Sequence, residues 1–192
     1  MGGFLLGTTM NKKVFKTMIA LVVIFLIALY VLKIFFPEQF VMSIENETII
    51  TIGNYIDSNA WAYYLFGIAT SFLTYWLYLC AVCKRWYLNW WQCLIVLAVI
   101  GASIGFNFID VNLCSALNYS SFIFLPFIFK AELKPVAIVF TTHIFAQFLT
   151  LSIRNLPIYM NAVNSLIVNI VGFETYLWLF LFYIYYNYKR KE

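Results

Sequence analysis

Six apolar stretches run along this chain, at residues 14–36, 60–82, 90–109, 116–129, 135–153 and 161–187, each bounded by a polar gap. Most are near the ~20 residues that a helix needs to cross the hydrocarbon core of a bilayer. None shows the two-residue alternation of outer-membrane barrel strands. The pattern predicts an all-α fold, a polytopic integral membrane bundle of six transmembrane helices. Its loops are too short to separate bundles, so residues 1–192 read as a single transmembrane domain.

The charges orient this bundle. Lys12, Lys13, Lys16, Lys84, Arg85, Lys130, Lys134, Lys189, Arg190 and Lys191 fall in alternate gaps and at the two ends. The positive-inside rule places those gaps, and both termini, in the cytoplasm. The opposite gaps carry Glu38, Glu45, Glu47, Asp57 and Asp110, with Arg154 the one basic loop residue among them. Lys33 lies near the outer end of the first span, where its stem can snorkel. The expected location is the plasma membrane or a bacterial inner membrane, crossed several times.

Composition agrees. The chain is 64% hydrophobic and 10% charged, against about 25% charge in soluble domains. Six spans leave no room for a soluble catalytic domain. The net charge of +4 is a topology signal directed at lipid headgroups, not a nucleic-acid footprint. Lys residues follow the mildly apolar Met1–Met10 stretch, the reverse of a secretory signal. Leu6 stands where a myristoylation pattern needs Ser or Thr. Trp61, Trp86, Trp90, Trp91 and the run Tyr183, Tyr185, Tyr186, Tyr188 fall near span ends, where amphipathic rings anchor at the headgroups. Stacking on a ligand is the other role open to one or two of them.

Two segments depart from plain spans. Residues 37–59 form the one long outer loop, begun by Pro37, and their alternation around Glu45–Ile52 reads as a short strand or an interfacial flap. Loops of that length often act as lids. Asn46-Glu47-Thr48 there matches a glycosylation sequon, a short motif that also arises by chance. The fourth stretch is short, contains Pro126 and is flanked by Asn118, Ser120 and Ser121. Such a segment points to a solute site, or else to a tilted helix that extends outward to Leu113. In the third span Ala98, Gly101, Ala102 and Gly105 form a small-residue face for close packing, within the bundle or between copies. No internal repeat supports an inverted-repeat transporter.

The intramembrane polar residues are grouped. Ser103, Asn107 and Asp110 share one face of the third span. His143, Gln147 and Thr150 share a face of the fifth, and Asn161, Ser165 and Asn169, with Asn164 nearby, a face of the sixth. Converging, these stripes line an outward-facing, water-accessible pocket; the other reading is interhelical glue. His143, the single His, and Glu174 both fall near mid-span, where a carboxylate must protonate or find a partner. Either they contact a ligand or switch with protonation, or they lock two helices together.

The chain carries few signs of catalysis. Cys80 and Cys83 form a CxxC, but beside Lys84 and Arg85 they face a reducing compartment, and Cys114 lies at the opposite face. Asp57 and Asp110, both near the outer surface, do not make an intramembrane dyad. No GxSxG or HExxH occurs, and one His with scattered Cys does not make a metal cage. The reading is a protein without catalytic residues, cofactor or bound metal.

In outline the chain resembles the substrate-binding subunits of energy-coupling-factor vitamin transporters, six-helix proteins of about this size with both termini inside. The resemblance implies a solute site in the outer half, closed by the loop at residues 37–59. It draws on Asn107, Asp110, Asn118, His143, Gln147, Asn161, Asn164 and Asn169, with Glu174 deeper. It also implies docking on other transporter subunits and an ATPase, and it covers the whole chain by architecture. Small docking residues of the first helix are only partly matched here, by Ala20 and Ala28. The expected partners are membrane lipids, a small-molecule solute and those subunits, with no nucleic acid. Two other readings stay open: an oligomeric channel or pore joined through the third span, and a non-catalytic assembly or immunity factor.

Overall fold

The computed structural model describes residues 12–36, Glu47, Thr51, Tyr55, 58–154 and 173–189, without the side chains of 147–154, Phe173, Glu174 and seven positions of the first helix. Six long helices lie within these residues: α1 (Lys12–Phe35), α2 (Ala60–Val82), α3 (Trp90–Asn107), α4 (Val111–Ile128), α5 (Leu133–Arg154) and α6 (Phe173–Lys189). No strand occurs among the described residues. Three of the helices, α2, α3 and α4, are long and apolar enough to cross a membrane.

The strand-like reading of the outer loop does not hold where the loop is described. Glu47, Thr51, Tyr55 and Ser58 have helical backbone. The Thr51 hydroxyl donates to the Glu47 carbonyl one turn back at 2.7 Å, and that of Ser58 to the Tyr55 carbonyl at 3.1 Å. A polar side chain that satisfies its own preceding turn removes the need for a ladder partner.

The fourth helix is longer than its apolar core. The Asp110 carboxylate accepts from the Asn112 N–H at 2.7 Å and so caps a helix that begins at Val111, not at 116. Capping satisfies an N–H that the first turn leaves without an intrahelical partner. The segment is thus a full-length helix extended at its N-terminal end, with Pro126 inside it. For the same reason α3 ends at Asn107, and Asp110 leaves the face that it was expected to share with Ser103 and Asn107.

Pro126 has no N–H to offer the Phe122 carbonyl four residues back. In hydrocarbon such a carbonyl is costly to leave alone. The Tyr78 hydroxyl takes the vacant place, donating to the Phe122 oxygen at 2.7 Å from a fully buried position on α2. An apolar run thereby tolerates its proline through a tyrosine 44 residues away.

α2 is the central element and packs against α3, α4, α5 and α6. Its second half is buried all round, with Tyr75, Leu77, Tyr78, Leu79, Cys80, Ala81 and Val82 in the core, as expected of a helix apolar on every face. α1 is peripheral and touches α6, where Phe15 stacks on Tyr188 at 3.8 Å. The start of α1 therefore lies beside the end of α6.

α2 and α4 end alike. In each the chain leaves through a left-handed lysine, Lys84 (φ 53°) and Lys130 (φ 60°). The Arg85 N–H reaches the Cys80 carbonyl and that of Ala131 the Pro126 carbonyl, 2.9 and 2.8 Å, closing both termini with the six-to-one bond of a Schellman motif. Lys84 then pairs with Glu132 at 2.6 Å, joining the two ends. Trp61, Trp90 and Trp91 are exposed as belt anchors should be, but Tyr183 is not free: its hydroxyl donates to the Trp86 carbonyl at 2.9 Å.

Among the described residues nothing packs on the small-residue face of α3. Ala98, Gly101, Ala102 and Gly105 are all exposed, and a Cβ added at Gly101 or Gly105 meets nothing within 4 Å.

Candidate functional site

Two adjoining cavities lie at the end of the bundle away from Lys84 and Lys130. The first, about 280 Å³, sits among the first half of α2, the second half of α3 and the start of α4, with Tyr64, Ser71, Ser103, Asn107, Cys114 and Asn118 in its wall. The second, about 290 Å³, sits among α2, α4 and α5, with Thr74, Tyr75, Ser115, Tyr119 and His143. Ser71 and Asn118 line both, so these two side chains form the partition. Taken together, the volumes fall in the ~300–1,000 Å³ range of small-molecule sites.

Asn118 is held from α3 and from within α4. Its Oδ1 accepts from the Ser103 hydroxyl of α3 at 2.8 Å, and its Nδ2 donates to the Cys114 sulfur at 3.5 Å. The Ser121 hydroxyl, donating to the Asn118 carbonyl at 2.7 Å, bonds the Tyr75 hydroxyl of α2. This ladder crosses the interior from α3 to α2 and fixes the amide that separates the cavities. Other hydroxyls turn inward on their own helices: Thr70, Thr74, Thr142 and Ser120 each donate to the carbonyl four residues back. Such hydroxyls are already satisfied and hold no helices together.

His143 is buried, with its ring stacked on Phe122 at 4.9 Å. Its Nδ1 has no hydrogen-bond partner among the described residues. His143 thus lends its ring to the wall of the second cavity, while Nδ1 itself is shut off from solvent. Phe122 is the hub beneath it, stacked on Tyr75 as well and edge-on to Tyr78.

Of the residues named from the sequence, Asn107 and Asn118 line the first cavity and Asn118 and His143 the second. Asp110 is not among the lining residues, since its carboxylate caps α4. Gln147 lies one turn beyond His143 on α5, and Glu174 in the first turn of α6, with side chains outside the description. Asn161, Asn164 and Asn169 lie outside the described residues. Sequence reasoning missed the contribution of α2. Ser71, Thr74, Tyr75 and Tyr78 lie three, four and seven residues apart, one face of a helix, but the tyrosines look like belt residues.

All four cysteines are free thiols. Cys83, just past the end of α2, is pushed up to about 11 by burial, against a smaller opposing pull from Arg85. It is a neutral thiol at neutral pH and a weak nucleophile. Among the described residues no cluster of His, Cys, Asp and Glu could hold a metal ion.

Compared with known proteins, the chain matches no family model, no curated protein and no solved structure. Function has to be argued from the cavities themselves.

Proposed function

We propose that this chain is a six-span membrane transport protein that binds a small solute in the paired cavities, as the substrate-binding subunit of a larger transporter. The polar cavities occupy the end away from the basic turns. With that basic end and both termini in the cytoplasm, the cavities open outward. The observation that carries the reading is the Asn118 partition, a fixed amide between two hollows, with His143 in the wall of the second. A few placed polar groups in an otherwise apolar hollow are the usual make-up of a small-molecule site.

The test is a thermal-shift screen of the detergent-purified protein against water-soluble vitamins, amino acids and nucleosides. One solute class is expected to stabilise the wild type in a saturable way, with Asn118→Leu and His143→Phe each losing the shift while eluting as folded monomers. A folded wild type that responds to no solute class, together with unchanged membrane flux in Asn118→Leu cells, overturns the proposal.

The exposed small-residue face of α3 favours a second reading, an oligomeric channel sealed through Gly101 and Gly105. Mass measurement of the solubilised protein separates the two: the transport subunit is monomeric or bound to unlike subunits, whereas the channel runs at a multiple of 22.4 kDa.

A further inference from the structure

A third and larger hollow, about 920 Å³, lies at the opposite end of the bundle, where the turn after α2, the start of α5 and the end of α6 meet. Among the described residues its wall holds Lys84, Arg85, Lys134 and Lys189 against a single carboxylate, Glu132. Lys84 occupies that carboxylate at 2.6 Å, so the hollow keeps a surplus of three positive charges. Topology alone asks only that basic residues lie somewhere on this side of the membrane. Here they come from three separate segments and converge on one space.

The placement of each is built into the fold. The Schellman turn at Lys84 directs Arg85 back over the end of α2, where its carbonyl accepts from the Asn187 amide of α6 at 2.8 Å. Asn187 is fully buried, so α6 is tied to this turn. Two residues on from that tie, the Lys189 ammonium stands 5.9 Å from the centre of the Tyr185 ring, within cation–π distance. The same wall also carries the apolar Ile138, Phe182 and Tyr186.

A hollow whose wall combines cationic and apolar side chains, at the ends of apolar helices, matches a phosphate group carried on a hydrocarbon body. We propose that it binds a phosphate-bearing polyanion, of the kind displayed by a two-phosphate lipid headgroup. Arg85 supplies a fork suited to phosphate oxygens. Lys134 and Lys189 supply point charges on either side.

The experiment titrates the detergent-purified, delipidated full chain with three probes: diphosphatidylglycerol, phosphatidylcholine and inorganic pyrophosphate, read by native mass spectrometry. The diphosphate lipid is expected to bind at least tenfold more tightly than phosphatidylcholine. Each of Arg85→Gln, Lys134→Gln and Lys189→Gln is expected to weaken it by about fivefold. A lipid that pyrophosphate fails to displace identifies a headgroup site. Pyrophosphate that binds as tightly and loses the same factors identifies a soluble phosphate ligand, and the polyanion site stands. Equal binding of the two lipids by the wild type with no pyrophosphate bound overturns the proposal, and needs no variant. So does unchanged binding in the triple substitution.

Discussion

Removing one oxygen from Tyr78 tests whether the proline of α4 is tolerated for the reason given. In Tyr78→Phe the ring still fills its place against Phe122, and the loss is confined to the bond to the Phe122 carbonyl. That carbonyl then has neither the tyrosine nor, because of Pro126, a helical N–H. Leaving a buried acceptor unsatisfied costs about 1–3 kcal/mol. The membrane offers no water to soften it. An expectation of about 2 kcal/mol corresponds to a factor of roughly 30 in the folded-to-unfolded ratio.

The diagnostic quantity is how that cost depends on residue 126. Pro126→Ala restores an N–H four residues beyond Phe122, so the carbonyl regains an intrahelical donor and Tyr78 becomes dispensable. Tyr78→Phe is then expected to cost less than ~1 kcal/mol in the Pro126→Ala background, a coupling of about 1 kcal/mol in a double-mutant cycle. The assay is reversible unfolding of the four proteins in mixed detergent micelles, followed by helical circular dichroism. Equal costs in both backgrounds refute the pairing of tyrosine with proline. A cost of Tyr78→Phe below ~0.3 kcal/mol refutes the bond's importance altogether.

Lys130→Gly is expected to stabilise the protein by about 1 kcal/mol, since it relieves a side chain held at positive φ; a melting temperature unchanged or lowered in detergent counts against strain at that turn. Ser103→Ala should cost about 1 kcal/mol by removing the donor to Asn118, whereas Asn107→Ala, exposed at the cavity mouth, should cost under ~0.5 kcal/mol; thermal melts that rank the pair the other way contradict the ladder. Gly105→Leu should leave the melt of the monomer unshifted because the added side chain projects into open space, and a large destabilisation would show that α3 is covered. Glu132→Gln breaks an ion pair whose carboxylate is largely exposed, so its cost should stay below ~1 kcal/mol and shrink in high salt.

The helical class was legible because apolar run length reports directly on a helix. Three of the runs, 60–82, 90–109 and 116–129, correspond to the helices long and apolar enough to cross a membrane. That Ser103 and Asn107 share a face of α3 was legible too, since residues at i and i+4 lie on one side of a helix whatever the tertiary structure. Three features were not. Asp110 looked like the last step of a polar stripe because periodicity does not reveal where a helix stops, and the competing chemistry was its fitness as a cap. The small face of α3 looked like a packing seam because Gly and Ala spacing carries no information on which side has a neighbour. The hydroxyl face of α2 was hidden because a tyrosine at a span end and a tyrosine in a buried ladder are the same letter. The partner that distinguishes them, Ser121 for Tyr75 and the Phe122 carbonyl for Tyr78, lies over 40 residues away.

The tyrosines of α2 also show how one apolar helix serves two demands. In its first half, where Tyr64 and Ser71 face a hollow, the wall must offer polar atoms and accept imperfect packing. In its second half, Leu77 to Val82 have neighbours on every side, and no polar atom is admitted unless it is bonded. Tyr75 and Tyr78 stand at the change, each burying a ring and spending its hydroxyl on α4. The division sorts the consequences of substitution along a single helix. Changes at Ser71 alter what the cavities hold at little cost to the fold. Changes at Tyr78 alter the fold and reach the cavities only through Phe122, which carries His143 on its other side.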